Sequence, residues 1–293
     1  MEPAEFEERA YEGPLYNQLE RGQRNIFAPG QVLEHDLGFD RGVFIAEHAV
    51  WETLGYEAPP AGMALGYYDW PLWWVPRAQS RRLPRYRINL FIQAKRSNFF
   101  RRRPRSLKSS NRLPPPIWGF PIAPRQQKRL LLLADRAKAR AHVTYAAPVF
   151  HTASALYRHT KARTIIPNST FPSATAIKDH EYWFYKVPGA VGMGNPEPEG
   201  IEEPGLLARL ASLAASELSV SELPFEDLAA TVISTAEAFD DTDATTAHFF
   251  DDLQTLDRLL EPFDIRTTTR AYSQVRLFTL RFDLSWLIVG RAT

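Results

Sequence analysis

The chain has 293 residues, of which 44% are hydrophobic and 12% are aromatic, enough to bury a sizeable core in one large domain or two smaller ones. No apolar run reaches the roughly 18 to 20 residues that cross a bilayer. The N-terminus is acidic where a signal peptide would be basic and then apolar, so we expect a cytoplasmic protein without a membrane partner. The absence of cysteine excludes disulfides, thiolate zinc sites and a cysteine nucleophile.

The formal net charge of +1 hides two segments of opposite charge. Between Trp70 and Ala134 there are 16 lysines and arginines and no acid. Between Asn195 and Ile265 there are 17 acids and two bases, Arg209 and Arg258. A polyanion is attracted to the first segment and repelled by the second. The alternative is that the two segments pair with each other.

The first part of the chain combines one helix with short apolar strands. Ala4 to Arg21 has helical character, and Gly13-Pro14 is expected to interrupt it. Gln31 to Ile45 has apolar residues at alternate positions on both sides of a glycine, which predicts a strand, a turn and a second strand. Residues 46–85 are rich in aromatic residues and proline and form a predicted insertion. After it, Ile88 to Gln93 is a predicted buried strand.

The middle of the chain predicts a basic helix at Arg125 to Arg140, a strand at His142 to Ala147 and a short helix at Phe150 to Thr160. Residues 188–204, rich in proline, glycine and glutamate, predict a linker. Beyond it lies a mainly helical region, 205–293, with predicted helices at Leu206 to Glu217, Pro224 to Phe239 and Thr245 to Phe263. Periodicity does not decide between a strand pair and a helix for Ala271 to Gly290.

Polar side chains follow the predicted strands at two points. Gly38-Phe39-Asp40 lies in the strand pair, and Gln93-Ala94-Lys95-Arg96 ends the buried strand. Because alternate residues of a strand share a face, Gln93 and Lys95 are expected to point to the same side. The sequence therefore predicts a polar site at this strand end.

The order helix, strand, strand, strand, helix, strand, together with Gly-x-Asp and Gln-x-Lys-Arg, resembles the core of the PD-(D/E)xK nuclease superfamily. The Gln-x-Lys-Arg version and the strand end Tyr145-Ala146-Ala147-Pro148 are similar to Mrr-like restriction enzymes and to nuclease effectors of anti-phage defence. The resemblance implies an α/β fold with a restriction-endonuclease-like mixed sheet flanked by helices over residues 1–187. The acidic helical region 205–293 would then serve interaction or regulation.

The resemblance also implies a metal-dependent endonuclease that hydrolyses DNA with Mg²⁺ or Mn²⁺, within an oligomer or with a sensor subunit, in defence against phage DNA. Asp40 would be the principal metal ligand, Glu34 a second ligand, and Gln93 would complete the site. Lys95 would orient the attacking water or stabilise developing charge. Glu20, near the end of the predicted first helix, is the other candidate for an acid borne by that helix.

A basic tract follows the predicted catalytic strand directly. Its arginines are predicted to contact nucleic-acid phosphates, with Phe99 and Phe100 packed beneath them or against bases: Arg96, Arg101, Arg102, Arg103 and Arg105. The alternative is a solvated loop.

Two further alternatives stay open. Gln93 in place of glutamate removes one negative charge from the site, and degenerate members of the fold serve as binding modules, so a non-catalytic nucleic-acid- or protein-binding subunit is the second hypothesis. A histidine-based nuclease is the third, with four histidines in the central region: His142, His151, His159 and His180. The acidic helices are further predicted to shield the basic region from DNA.

Overall fold

The computed structural model describes residues 1–19, 26–27, 42–43, 86–107, 113–138, 141–196, 199–215, 225–239, 244–261 and 267–290. The chain divides into two compact units. The first comprises residues 1–19, 86–221 and 284–293, and the second comprises residues 20–85 and 222–283. Helices and strands alternate in the first unit, so the predicted mixed α/β class is confirmed.

The elements are numbered here in chain order. They are α1 (Glu8–Leu19), β1 (Ile26–Phe27), β2 (Gly42–Val43), β3 (Tyr86–Ala94), β4 (Asn98–Phe100), β5 (Ile117–Pro121), α2 (Pro124–Ala137), β6 (Ala141–Pro148), α3 (Ala153–Ala162), β7 (Ser169–Thr170), β8 (Tyr182–Tyr185), β9 (Ala190–Asn195), β10 (Glu199–Glu203), α4 (Leu206–Ala215), α5 (Phe225–Glu237), α6 (Ala244–Leu260), α7 (Thr267–Arg281) and β11 (Ser285–Gly290). No helix among the described residues is long and apolar enough to cross a membrane.

A four-stranded mixed sheet in the order β11-β3-β6-β7 contains the predicted strand end. Strand β3 pairs with β6 in parallel and with β11 in antiparallel orientation. Leu90, Phe91 and Ile92 are all buried, as expected for an internal strand covered on both faces. The connection from β3 to β6 contains β4, β5 and α2. The predicted strands Ile88 to Gln93 and His142 to Ala147 and the predicted basic helix are confirmed, whereas β4 and β5 were not predicted.

Helix α1 covers one face of this sheet. Its Tyr11 and Leu15 belong to the same buried cluster as Leu90, Ile92 and Ala94 of β3. The helix continues through Pro14, so the interruption predicted at Gly13-Pro14 is wrong. A proline removes one backbone hydrogen bond and crowds the preceding turn, and burial of the apolar face on the sheet offsets that cost.

The second sheet of the first unit has five antiparallel strands in the order β10-β9-β8-β5-β4. Residues 188–204, the predicted linker, contain the hairpin of β9 and β10 instead, so the linker prediction is corrected. The glycines that suggested a flexible connection are needed for packing. A Cβ on Gly192 would overlap with Trp183, and one on Gly194 would overlap with His180.

The second unit contains the helices α5, α6 and α7, together with the short pair β1 and β2. Aromatic rings hold the helices together. Phe249 lies 5.8 Å from Phe278 and 5.7 Å from Phe282 between ring centroids, and Phe239 lies 5.1 Å from Phe282. Asp252 pairs with Arg281, and Asp257 pairs with Arg270 at 2.7 Å.

The C-terminal part of the chain does not form one helical region. Ala271 to Gly290, left undecided from the sequence, divides into the end of α7 and strand β11. Asp283 has a φ of 53°, a left-handed conformation that turns the chain out of the helix. The following apolar strand pairs with β3, so the predicted helical region 205–293 contributes to both units.

Candidate functional site at the end of strand β3

Gln93 and Lys95 occupy different environments at the end of β3. Gln93 lies opposite Tyr145 of β6, its residue is 0% exposed, and its Nε2 donates a hydrogen bond to the carbonyl of Ala94 at 3.4 Å. Lys95 is the first residue after the strand, and its N–H donates to the carbonyl of Ala146 at 2.8 Å. The Lys95 side chain is 13% exposed. Lys95 therefore reaches solvent at the strand end, whereas the Gln93 amide lies in the core.

An acid of the first helix accompanies Lys95. The Oε1 of Glu8 lies 3.9 Å from the Nζ of Lys95. Glu8 is in the first turn of α1, one turn before Tyr11, which packs in the cluster containing Ala94. Packing of α1 on the sheet therefore brings a carboxylate to the end of β3.

Three of the predicted acids, Asp40, Glu34 and Glu20, lie outside the described residues. Within the part of the chain that the structure describes, no group of three or more histidines and acids could hold a metal ion. The oxygens of Glu8 and of the Gln93 amide are of the type that Mg²⁺ prefers, but two residues do not make a site. The predicted ligand set of Asp40, Glu34 and Gln93 stays a prediction.

A buried hydrogen-bond network fixes the turn that carries Lys95. The Oγ of Ser97 donates to the carbonyl of Pro148 at 2.5 Å, and the hydroxyl of Tyr185 donates to the same carbonyl at 2.8 Å. Ser97 also contacts the Tyr185 hydroxyl directly. Burial raises the pKa of Tyr185, which keeps this donor protonated. The turn after β3 is thus tied to the end of β6.

A second hydrogen-bond network includes Tyr145, the residue of β6 opposite Gln93. The hydroxyl of Tyr145 donates to the Oε1 of Gln127 at 2.6 Å, and the Nε2 of Gln127 donates to the carbonyls of Ala174 and Ile177 at 2.8 and 3.2 Å. Burial raises the pKa of the Tyr145 hydroxyl above its ordinary range. These bonds connect the basic helix α2 to the strand paired with β3, and their role is structural.

The predicted nucleic-acid-binding arginines lie on the surface formed by the residues after β3, called here the basic surface. Arg101 and Arg102 are exposed, as are Arg96 and Arg105, and Arg103 is half-buried. The Nε of Arg101 lies 2.6 Å from Oε1 of Glu2. The Nη1 of Arg96 lies 3.5 Å from Oε1 of Glu7.

Phe99 and His151 form an aromatic pair beside these arginines. Their rings stack with centroids 4.3 Å apart and planes 8° apart. Phe99 also packs on Trp118 at 5.4 Å, whereas Phe100 packs on Tyr182 and Phe184. Both phenylalanines therefore pack against aromatic side chains of the protein.

The remaining histidines have local partners. His159 stacks on Phe150 at 4.8 Å, and its Nδ1 lies 2.9 Å from Oγ1 of Thr164. His142 is buried, and desolvation, followed by the nearby Arg209, lowers its pKa to about 4. The described residues therefore contain no cluster of histidines and acids that would support the histidine-based alternative.

Glu2, Glu7 and Glu8 were not predicted as members of this surface. A signal for Glu7 was present in the N-terminal sequence MEPAEFEE, in which Glu5 and Glu7 alternate with Ala4 and Phe6. Such alternation is typical of an extended segment with one buried side.

Comparison with known proteins gives no independent evidence for the nuclease resemblance. No protein-family model, curated protein or solved structure matches this chain. The resemblance to PD-(D/E)xK nucleases therefore stays a prediction that rests on the residues themselves.

Proposed function

We infer that this protein is a metal-dependent endonuclease that hydrolyses DNA phosphodiesters at the end of β3. One observation carries the proposal: Lys95 projects its amine at the end of an internal strand, beside a parallel strand and within 3.9 Å of a carboxylate of the first helix. A cation at this place can stabilise charge that develops on a phosphate. Glu8 is a further candidate, beside Glu20, for the acid borne by the first helix.

The proposed division of roles follows from the chemistry of each side chain. Asp40 and Glu34 would hold a Mg²⁺ or Mn²⁺ ion, with Gln93 completing the ligand set. When bound, the ion supplies neutralisation of the phosphate charge and a hydroxide-like water. Lys95, whose amine lies 3.9 Å from Glu8, would orient that water or the scissile phosphate. The exposed arginines would bind flanking phosphates.

The experiment compares plasmid cleavage by wild type and by three single variants with Mg²⁺ or Mn²⁺. We expect Asp40→Asn and Lys95→Met to lose about 100-fold or more of the cleavage rate. Lys178→Met is the control, because Lys178 is an exposed lysine that also lies near a carboxylate, that of Asp179. Wild-type rates in Lys95→Met would contradict the proposal.

A second candidate function is a non-catalytic DNA-binding subunit, and the complete burial of Gln93 favours it. A fully buried amide is typical of a structural residue, and the ligand role of Gln93 belongs to the first candidate alone. Wild-type protein that binds DNA, yet leaves it intact with either ion and with the partner copurified from the native host, would select this candidate. The proposed role in defence, the oligomeric assembly and the sensor partner belong to the nuclease proposal.

A further inference from the structure

The segment from Glu2 to Glu8, called here the acidic strap, lies along the basic surface. We propose that the acidic strap is an internal competitor for nucleic acid, whose carboxylates occupy the cations that bind phosphates. This inference concerns regulation of the proposed DNA-binding site and rests on the proposed function. It differs from the predicted shielding by the acidic helices, because it assigns the competition to the N-terminal segment.

Backbone hydrogen bonds hold the strap against the residues that follow β3. The N–H of Glu2 donates to the carbonyl of Phe99 and the N–H of Phe99 donates to the carbonyl of Glu2, both at 2.8 Å. The N–H of Glu5 donates to the carbonyl of His151 at 2.8 Å. These bonds need no particular side chain, so the charges of the strap can be changed without removing them.

Apolar side chains anchor the other side of the strap. Ala4 and Phe6 are buried, and the ring of Phe6 lies 5.8 Å from that of Phe150. With these two residues directed inward, the alternating residues Glu5 and Glu7 lie on the opposite, exposed side. The strap therefore presents its carboxylates in a fixed register.

Three of the four acids in the strap lie beside cations of the predicted site. Glu2 pairs with Arg101 at 2.6 Å, and its Oε2 lies 3.7 Å from Nε2 of His151. Glu7 lies 3.5 Å from Arg96, and Glu8 lies 3.9 Å from Lys95. A carboxylate and a phosphate are recognised by the same charge-assisted contacts, so both compete for these cations.

Glu5 differs from the other three acids. Its Oε2 accepts a hydrogen bond from the N–H of Ala153 at 2.9 Å, at the first turn of α3, where an anion is favoured by the unsatisfied N–H groups. Glu5 therefore supports a helix end and provides a matched control two residues from Glu7.

The ion pairs of the strap are weak enough to be exchanged. The side chains of Arg101 and Arg96 are 74% and 45% exposed, and that of Glu7 is 84% exposed. Exposed pairs contribute little in water and are screened by salt. A DNA duplex presents many phosphates and releases counterions on binding, so it displaces single carboxylates.

The test measures the affinity of the full chain for a short labelled DNA duplex by fluorescence anisotropy, at low salt and with EDTA. We expect the double variant Glu2→Gln/Glu7→Gln to bind about two- to tenfold more tightly than wild type, because two competing charges are removed. We expect Glu5→Gln to bind as wild type does. Adding Arg96→Gln and Arg101→Gln should abolish the gain. Thermal unfolding checks that each variant is folded.

Either of two affinity results would overturn the inference: equal affinity of the double variant and wild type, or an equal gain in Glu5→Gln, which would indicate a general effect of charge. Failure of duplex binding in every protein would also overturn it. The measurement uses no divalent ion, so its result is independent of cleavage. A protein that shows the expected gain but never cleaves DNA removes the nuclease proposal and leaves this inference intact.

Discussion

The molecule has two acidic regions whose carboxylates have different partners. In the acidic strap, Glu2 and Glu7 pair with Arg101 and Arg96 of the predicted nucleic-acid site. In the helical unit, Asp252 pairs with Arg281 of α7, a partner in its own unit. The number of acids in a segment therefore does not predict which cations their carboxylates pair with. The strap places three carboxylates beside described cations of the predicted site.

The stability of the helical unit depends on its aromatic core, whereas the proposed competition by the strap depends on its charges. Phe249 is 0% exposed and contacts the rings of Phe278 and Phe282. We expect Phe249→Ala to lower the free energy of unfolding by about 3–5 kcal/mol, because it leaves a cavity among these rings. Chemical denaturation followed by circular dichroism measures the loss.

The same variant tests whether the two regions act separately. Folded Phe249→Ala protein should bind the DNA duplex with wild-type affinity. A loss of stability below about 1 kcal/mol would contradict the importance of the aromatic core.

Acid should destabilise the first unit through His142. Its folded pKa of about 4 lies below the ordinary value of about 6.5, so below pH 6.5 the unfolded chain binds a proton that the folded chain does not. Stability therefore falls as the pH is lowered from about 6.5 to about 4, by on the order of 3 kcal/mol in total. Unfolding of His142→Gln across this range should show a flatter pH dependence, and an unchanged slope would contradict the assignment.

Two arginines allow a direct comparison of the regions, since each is exposed and paired with a carboxylate: Arg101 with Glu2, and Arg270 with Asp257. We expect Arg101→Gln to weaken duplex binding about two- to fivefold at low salt and to reduce the slope of log affinity against log salt by about 0.9. Arg270→Gln should leave both values unchanged. Equal losses in the two variants would indicate a general effect of charge.

The smallest expected effect concerns the acidic helices. Asp252 and Arg281 are 30% and 44% exposed, so Asp252→Asn should change the free energy of unfolding by only about 0–1 kcal/mol. Its duplex affinity should equal that of wild type. A rise in affinity like that expected for Glu2→Gln/Glu7→Gln would show that the helices also compete with DNA, as the charge counts predicted.

Much of the local structure was predictable from periodicity. The apolar run Ile88 to Gln93 forms β3, His142 to Ala147 forms β6, and the leucine-rich basic segment forms α2. The predicted helices near Leu206, Pro224 and Thr245 are also present. These elements were predictable because neighbours three or four apart in a helix, or two apart in a strand, specify their buried faces.

The candidate site was predictable only in part. The position of Lys95 at a strand end followed from the pattern. The burial of Gln93 did not, because it depends on β6, which lies beside β3. The glycines of β9 were misinterpreted as a linker because their partners, Trp183 and His180, are set by sheet packing.

The sequence by itself determined α2, α3, β3 and β6 of the first unit, the separation of charge along the chain and the position of a lysine after an apolar strand. Tertiary structure alone decided that β11 pairs with β3 and that the acids of the strap oppose the basic surface. Glu2 and Arg101 are 99 positions apart, and local periodicity holds no information about such a pair. Their contact exists because apolar burial of Ala4 and Phe6 and backbone pairing with Phe99 bring the two segments together.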